Sequence, residues 1–237
     1  MDLQLKSWPY RLGKFFYKSI YQLEGSYCLL CQKPIFDSSY KNFLCLHCHS
    51  ELQNEIIDAT FYHDDYKIHA FFEYKGCAKE ILKEAKFRHS TVCCDLLTSV
   101  VNDYIFKNQI IALQEQVIFV PTPCSHASIK NRGWDITLNW AKSLNSKMEN
   151  FSIAQAIVRN PISFYLPQQK KLNRKHREKN IHARFLLDKK FDPTHLRGNR
   201  APSYILLDDV MTTGATLLNN FALLKGATKE AFVMLVD

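Results

Sequence analysis

No apolar run in the 237-residue chain reaches the ~18 residues needed to span a bilayer. The stretch from Trp8 to Leu23 is interrupted by Arg11, Lys14 and Lys18, and no cleavage site of small residues follows it. Neither a secretion signal nor a membrane anchor is therefore expected there, and a cytoplasmic location is. Internal repeats are lacking, which argues against solenoids and propellers. Low-complexity tracts are lacking too, and the composition is that of a globular chain with ample core for one or two domains.

What charge there is in excess is local. The net charge is +8, and the segment from Gln169 to Lys190 alone holds nine Lys/Arg against Glu178 and Asp188. Lys170, Lys171, Arg174, Lys175, Arg177 and Lys179 fall at mixed helical spacings and could follow a phosphate backbone, with Trp134, Phe164 and Tyr165 as stacking surfaces. Single-stranded DNA, bound without sequence preference and sensitively to salt, is the partner this suggests. A solvated helix face and core aromatics are the plain alternatives.

Four of the eight cysteines form two pairs, Cys28-Leu-Leu-Cys31 and Cys45-Leu-His-Cys48, thirteen residues apart. Such pairs read as a four-thiolate zinc ribbon, each pair on a tight turn with a small hairpin between. Two disulfides are the alternative, which a reducing compartment disfavours. Four thiolates complete a tetrahedron without His47 or His49, so a structural Zn²⁺ is expected. Cys77, Cys93, Cys94 and Cys124 lack such spacing and are expected to be buried small residues.

Beyond the cysteines, helices and strands alternate. A helix is expected over 9–24, a strand over 68–74, and helices over 79–87 and 92–106. A strand over 116–120 ends at Pro121-Thr122-Pro123. Then come a helix over 134–144, a strand over 155–159, a basic helix over 169–179 and a strand over 185–187. Strand 203–207, helix 215–225 and strand 231–236 close the series. This order predicts an α/β domain, residues 58–237, with a parallel sheet and helices on both faces. Residues 1–57 would hold the first helix and the ribbon.

The chemistry concentrates in Tyr204-Ile-Leu-Leu-Asp208-Asp209-Val-Met-Thr212-Thr213-Gly214-Ala215-Thr216. A buried strand ends in two acids, and a hydroxyl-rich loop then opens a helix. Unpartnered N–H groups at a helix start, with its dipole, favour a phosphate. Gly214 allows the backbone to approach closely. Asp208 and Asp209 would repel that phosphate but suit the two neighbouring hydroxyls of a ribose. Phosphate beside diol suggests a 5-phosphoribosyl group. The alternative is a capped βα turn with two solvated acids.

This stretch resembles the phosphoribosyl diphosphate (PRPP) motif of type I phosphoribosyltransferases. Together with the cysteine pairs, Tyr74-Lys75-Gly76, Val120-Pro121-Thr122-Pro123, Asn131-Arg132-Gly133-Trp134, Gln169, Leu172, Arg177, Asn180 and Phe185, it makes nearly the whole chain similar to the ComF/GntX family of ComFC-type competence proteins. The resemblance implies a phosphoribosyltransferase-like fold and a role in natural transformation, handling imported single-stranded DNA alongside other uptake proteins such as a helicase. It implies PRPP binding with Mg²⁺ on Asp208, Asp209 and Thr212 to Thr216. Pro121, Thr122 and Pro123 would form the diphosphate loop with Arg132 as cationic partner. A rigid strand exit and a surface helix start are the plain readings of those residues. An active transferase with an unknown nucleophile and a PRPP-sensing regulator are the alternatives in function. Three departures stand out. Asp135 replaces the family's Asn, a Thr of the Arg-x-x-Thr-x-x-Gln region is missing after Arg159, and Thr212 stands where purine transferases often carry an aspartate.

Overall fold

The computed structural model describes residues 27–35, 43–63, 65–111, 116–147, 149–161, 184–191, 203–224 and 230–237. The expected helix over 9–24, the basic segment with Lys170, Lys171, Arg174, Lys175, Arg177 and Lys179, and the aromatics Phe164 and Tyr165 lie outside these residues. The chain divides into two compact units, Met1–Asn54 and Glu55–Asp237. The division falls three residues before the expected 57/58 boundary, because strand β1 (Ile56–His63) already belongs to the sheet of the second unit.

In the first unit, Cys28 to Cys31 form a tight turn. It is closed by Gln32 N–H on the Cys28 carbonyl at 2.9 Å and Cys28 N–H on the Lys33 carbonyl at 2.8 Å. The second pair is not on a tight turn as expected. Cys45 stands at the start of helix α1 (Leu46–Asn54), and its carbonyl accepts the His49 N–H at 2.9 Å. Cys48 and Leu52, one turn apart, are the helix's buried face.

The second unit is a six-stranded sheet with the order β1-β2-β8-β7-β3-β4. Its strands are β1, β2 (Tyr66–Glu73), β3 (Val117–Pro121), β4 (Phe151–Ile153), β7 (Ser203–Met211) and β8 (Glu230–Val236). Only β1 runs antiparallel to its neighbour, and the other pairs are parallel. Two short strands, β5 (Ile157–Arg159) and β6 (Phe185–Leu187), pair antiparallel beside it. The central parallel strands β8, β7 and β3 are buried along most of their length, which is why they read as apolar runs.

Side chains alternate along each strand and so supply two cores. On one face, Ile118, Val120, Tyr204, Leu206, Ala231 and Val233 meet Leu217 and Phe221 of helix α6 (Ala215–Leu223). On the other, Phe71 of β2 makes edge contacts with Phe232 and with Trp140 of α5 (Ile136–Asn145) and Tyr104 of α3 (Thr91–Lys107). Helix α2 (Gly76–Phe87) packs on α3. Between α3 and α5 the buried Trp140 Nε1–H donates to Asn102 Oδ1 at 2.8 Å, and Asn102 Nδ2 donates to Ser143 Oγ at 2.9 Å. The Trp140 indole and both ends of the Asn102 amide thus have partners.

The single helix expected over 134–144 is two. Helix α4 (His126–Arg132) stops at Gly133, whose φ of 77° suits only glycine well. Helix α5 starts at Ile136 behind the N-cap Asp135, so Trp134 lies between them.

β3 has β4 on one side and β7 on the other. The chain therefore leaves β3 in one direction and returns on its opposite side. Crevices outside the carboxyl ends of parallel strands open at such switch points.

Candidate functional site

The four paired cysteines converge. Their sulfur atoms all lie within 4.8 Å of one another, and Cys31 Sγ stands 3.7 Å from Cys45 Sγ. A disulfide needs ~2.05 Å, and all four thiols are free. Zinc–sulfur bonds of ~2.3 Å in a tetrahedron place sulfurs ~3.8 Å apart, which this spacing matches. Burial opposes ionisation of Cys28. Backbone N–H groups of Cys31, Cys45 and Leu30 and the Cys31 thiol overcome it and bring its pKa down to about 7. The cluster is compatible with a structural metal such as zinc. Exposed His47 pairs instead with Glu51 at 3.4 Å.

The acidic pair sits at the switch point, but inside β7 and not beyond its end. On the β3 side pairing stops at Leu207, whose carbonyl accepts the Thr122 N–H at 2.9 Å. On the β8 side it continues to Met211. Asp208 and Asp209 are thus held by one neighbour while β3 has turned away, and they form the floor of a cavity of about 590 Å³. The Asp208 carboxyl is pushed up to about 8, first by desolvation and then by the neighbouring Asp209 charge. Its own acceptance of the Asp209 N–H, at 2.9 Å, and the charges of Lys86 and Arg159 offset only part of that. Asp209 pairs with Lys86 Nζ of α2 at 3.0 Å.

The hydroxyl-rich loop follows directly. Thr212, Thr213, Gly214, Ala215 and Thr216 line a small adjoining pocket of about 40 Å³ together with Asp208, and Thr216 borders the larger cavity as well. Gly214 caps α6 with φ 70°, and the side chains of Thr212 and Thr213 are exposed.

The opposite wall comes from Thr122 to Ser125, α4 and the end of β5. Pro121 closes β3, and the Pro123 carbonyl accepts Arg159 Nε at 2.9 Å. Arg159 also lies over the Phe185 ring at 4.3 Å, and burial lowers its pKa. Arg132 borders the cavity, donates to Cys124 Sγ at 3.1 Å and lies over the Trp134 ring at 5.6 Å. Trp134, half-buried, thus carries a guanidinium on its ring. Cys124 and Cys77 are only half-buried, unlike Cys93 and Cys94. Burial pushes the Cys124 thiol up to about 12.

Thr122 is scaffold more than ligand-facing group. Its Oγ1 accepts Asn220 Nδ2 of α6 at 3.2 Å, and its carbonyl accepts Thr137 Oγ1 at 2.7 Å. Asp135 ties the same loop to α5. Its Oδ2 accepts the Cys124 N–H at 2.8 Å and its Oδ1 the Thr137 N–H at 3.0 Å, and this Oδ1 competes with the Thr122 carbonyl, equally 2.7 Å away, for the one hydroxyl proton of Thr137. The acceptor set accounts for a carboxylate at 135.

The structure therefore brings Asp208, Asp209, Thr216, Thr122, Pro123 and Arg132 into one cavity, with Thr212 to Ala215 beside it. Sequence reasoning missed Lys86, His89, Ser128, Asn131 and Arg159 of the same lining. Lys86 and Arg159 stand at the ends of α2 and β5, and no pattern in the sequence links those two ends.

Scanned against protein-family models the chain matches none, and a search of curated proteins finds no match. The fold and site define a mixed α/β protein with a mostly parallel sheet flanked by helices, an acid-floored cavity at its carboxyl edge, and a four-thiol cluster nearer the N-terminus.

Proposed function

We propose that the second unit is a type I phosphoribosyltransferase-like domain that binds PRPP with Mg²⁺, and that the chain is a ComFC-type competence protein. The observation that carries this is the joint cavity: two carboxylates on its floor, the Thr212–Thr216 helix start beside them, and Lys86, Arg132 and Arg159 around them. The loop N–H and hydroxyl groups suit the 5-phosphate, the acids suit the ribose diol, and the cations suit the diphosphate. Asp208 and Asp209 offer hard oxygen ligands that fit Mg²⁺ shared with substrate phosphates, and the metal would neutralise diphosphate charge. The cysteine cluster would hold one Zn²⁺. The basic segment would bind single-stranded DNA in the cytoplasm during transformation, beside other uptake proteins such as a helicase.

An active transferase is the second reading. What favours it is cavity space beyond the acids, bordered by Phe87, His89, Ser128 and Asn131. A PRPP sensor would bind in the same way without turnover. Calorimetry with PRPP and Mg²⁺ tests the shared premise. Asp208→Ala or Asp209→Ala should each weaken binding roughly ten- to a hundredfold, as for a lost bond to a charged acceptor. Wild-type affinity in the double variant would refute the site. Diphosphate release with candidate acceptors separates turnover from sensing, and transformation assays on the same folded variants test the cellular role.

A further inference from the structure

One position on helix α6 breaks the helix's own pattern. Residues 217, 220, 221 and 224 fall on a single stripe, at the spacing of a buried helical face. Leu217, Phe221 and the C-cap Leu224 join the apolar core. The fourth is Asn220, and it is 0% exposed. Its Nδ2 donates to Thr122 Oγ1 at 3.2 Å, across 98 residues of sequence. Its Oδ1 has no hydrogen-bond partner among the described residues. A half-satisfied amide in an apolar core costs stability that a leucine there would not. What the amide supplies in return is its one bond.

That bond lands where the two walls of the cavity meet. Thr122 is buried, and its N–H donates to the carbonyl of Leu207, the residue just before the acids, at 2.9 Å. Its carbonyl is one of two acceptors 2.7 Å from the Thr137 hydroxyl. Its side chain reaches α6. About a turn and a half before Asn220, that helix begins at the hydroxyl-rich loop. From Thr122 the chain runs through Pro123 to Ser125 along the opposite wall. Asn220 itself lines neither the cavity nor the small pocket beside it. It ties the helix that carries one wall to the loop that forms the other.

We propose that Asn220 is a positioning residue that fixes the separation of two anion subsites, so that the cavity selects a ligand with phosphate groups at both ends over one with either group alone. This rests on the phosphoribosyl reading and deepens it. The 5-phosphate would sit on the α6 loop and the diphosphate beside Thr122 to Ser125. A ligand that spans two fixed subsites engages the second with little further loss of freedom, and a wall that shifts forfeits that gain. A fragment held by one wall is indifferent to the other.

The test is calorimetry on the full chain with Mg²⁺, comparing PRPP, ribose 5-phosphate and pyrophosphate. Asn220→Leu should lower PRPP affinity about tenfold, the scale of one hydrogen bond. It should leave both fragments at their wild-type affinities. Thr122→Val should do the same, and the double variant should do no more than either single change, because all three remove one bond. Thr122→Ser, which keeps the hydroxyl, should bind PRPP as wild type does. The double variant removes the buried polar pair together with the orphaned oxygen, so it should melt at or above the wild-type temperature. Unchanged PRPP affinity in Asn220→Leu, or fragments weakened as much as PRPP, overturns the tie while leaving the phosphoribosyl site standing. Failure of PRPP to bind the wild-type protein overturns both.

Discussion

Desolvation and the Asp209 charge hold the Asp208 carboxyl protonated to a higher pH in the folded protein than in the unfolded chain. Its pKa rises from 3.8 to about 8 on folding, so between those values the native state binds more protons. Stability contributed by this group therefore falls as pH rises through that window. Asp208→Asn should melt at a higher temperature than wild type near pH 8, and the gap should close toward pH 4. A gap of constant size across that range would show that the buried charge is not its cause. The same variant should lose Mg²⁺-dependent PRPP binding, the usual opposition of stability and function at a site. Asp135 gives a converse case. Asp135→Asn would turn an NH₂ toward the Cys124 N–H or the Thr137 donors, and one buried donor left without an acceptor costs ~1–3 kcal/mol. Urea denaturation measures this, and wild-type stability would show that the loop reorganises. These two residues mark how legible the site was. Asp208, Asp209 and the threonines were readable because their types are contiguous and each has a chemical reason for its place. The second role of Asp135 was not, since beside the local Thr137 N–H it accepts the Cys124 N–H from a loop eleven residues earlier. Lys86 reaches Asp209, and Arg159 lines the same cavity, only because the ends of α2 and β5 come together there.

The helices and strands that were readable are those with a clean period and buried partners, such as β6, read at its observed bounds, and β3, β7 and β8 within a few residues. β1 was missed because it is an edge strand, largely exposed on both faces, and its sequence IIDATFYH alternates weakly. The α4–α5 break was hidden in Gly133-Trp134-Asp135, where a C-cap and an N-cap are only one residue apart. Two glycines at helix starts show how local geometry sets cost. Gly214 has φ 70°, but an added Cβ would come no nearer than 3.8 Å to Met211 Sδ. Gly214→Ala should then lose only backbone strain, ~1–2 kcal/mol. Gly76 has φ 60°, and its Cβ would strike the Glu55 carboxylate. That carboxylate accepts the Cys77 N–H at 2.8 Å and the Ala78 N–H at 3.0 Å. Gly76→Ala should add loss of this cap, roughly another 1 kcal/mol, to the strain. Paired denaturation curves check the ranking, and equal costs would mean that Glu55 moves aside freely.

For the molecule as a whole, the sharpest test of the first unit is its metal. Elemental analysis of the reduced protein should find one zinc per chain, and Cys28→Ser should release it with loss of helical signal from α1, because binding and folding are coupled at such sites. Metal-free protein with α1 intact would end the structural-metal reading. At the same scale, affinity for single-stranded DNA should fall steeply with salt. Replacing Lys170, Lys171, Arg174 and Lys175 by Glu should lower it further, and unchanged binding would take that segment out of the interface. A different consequence follows from the carboxylate at position 55. Glu55 is both the first residue of the second unit and the cap of its first helix. A protease that nicked the chain after Asn54 would leave that helix start satisfied, whereas a nick after Ile57 would carry the cap off with the wrong fragment. The join between the units is therefore no neutral spacer for splicing in a foreign module. Chimaeras that keep Glu55 with the sheet should express as folded protein, and those that trade it away should start from a frayed helix leading straight to Lys86 and the cavity wall.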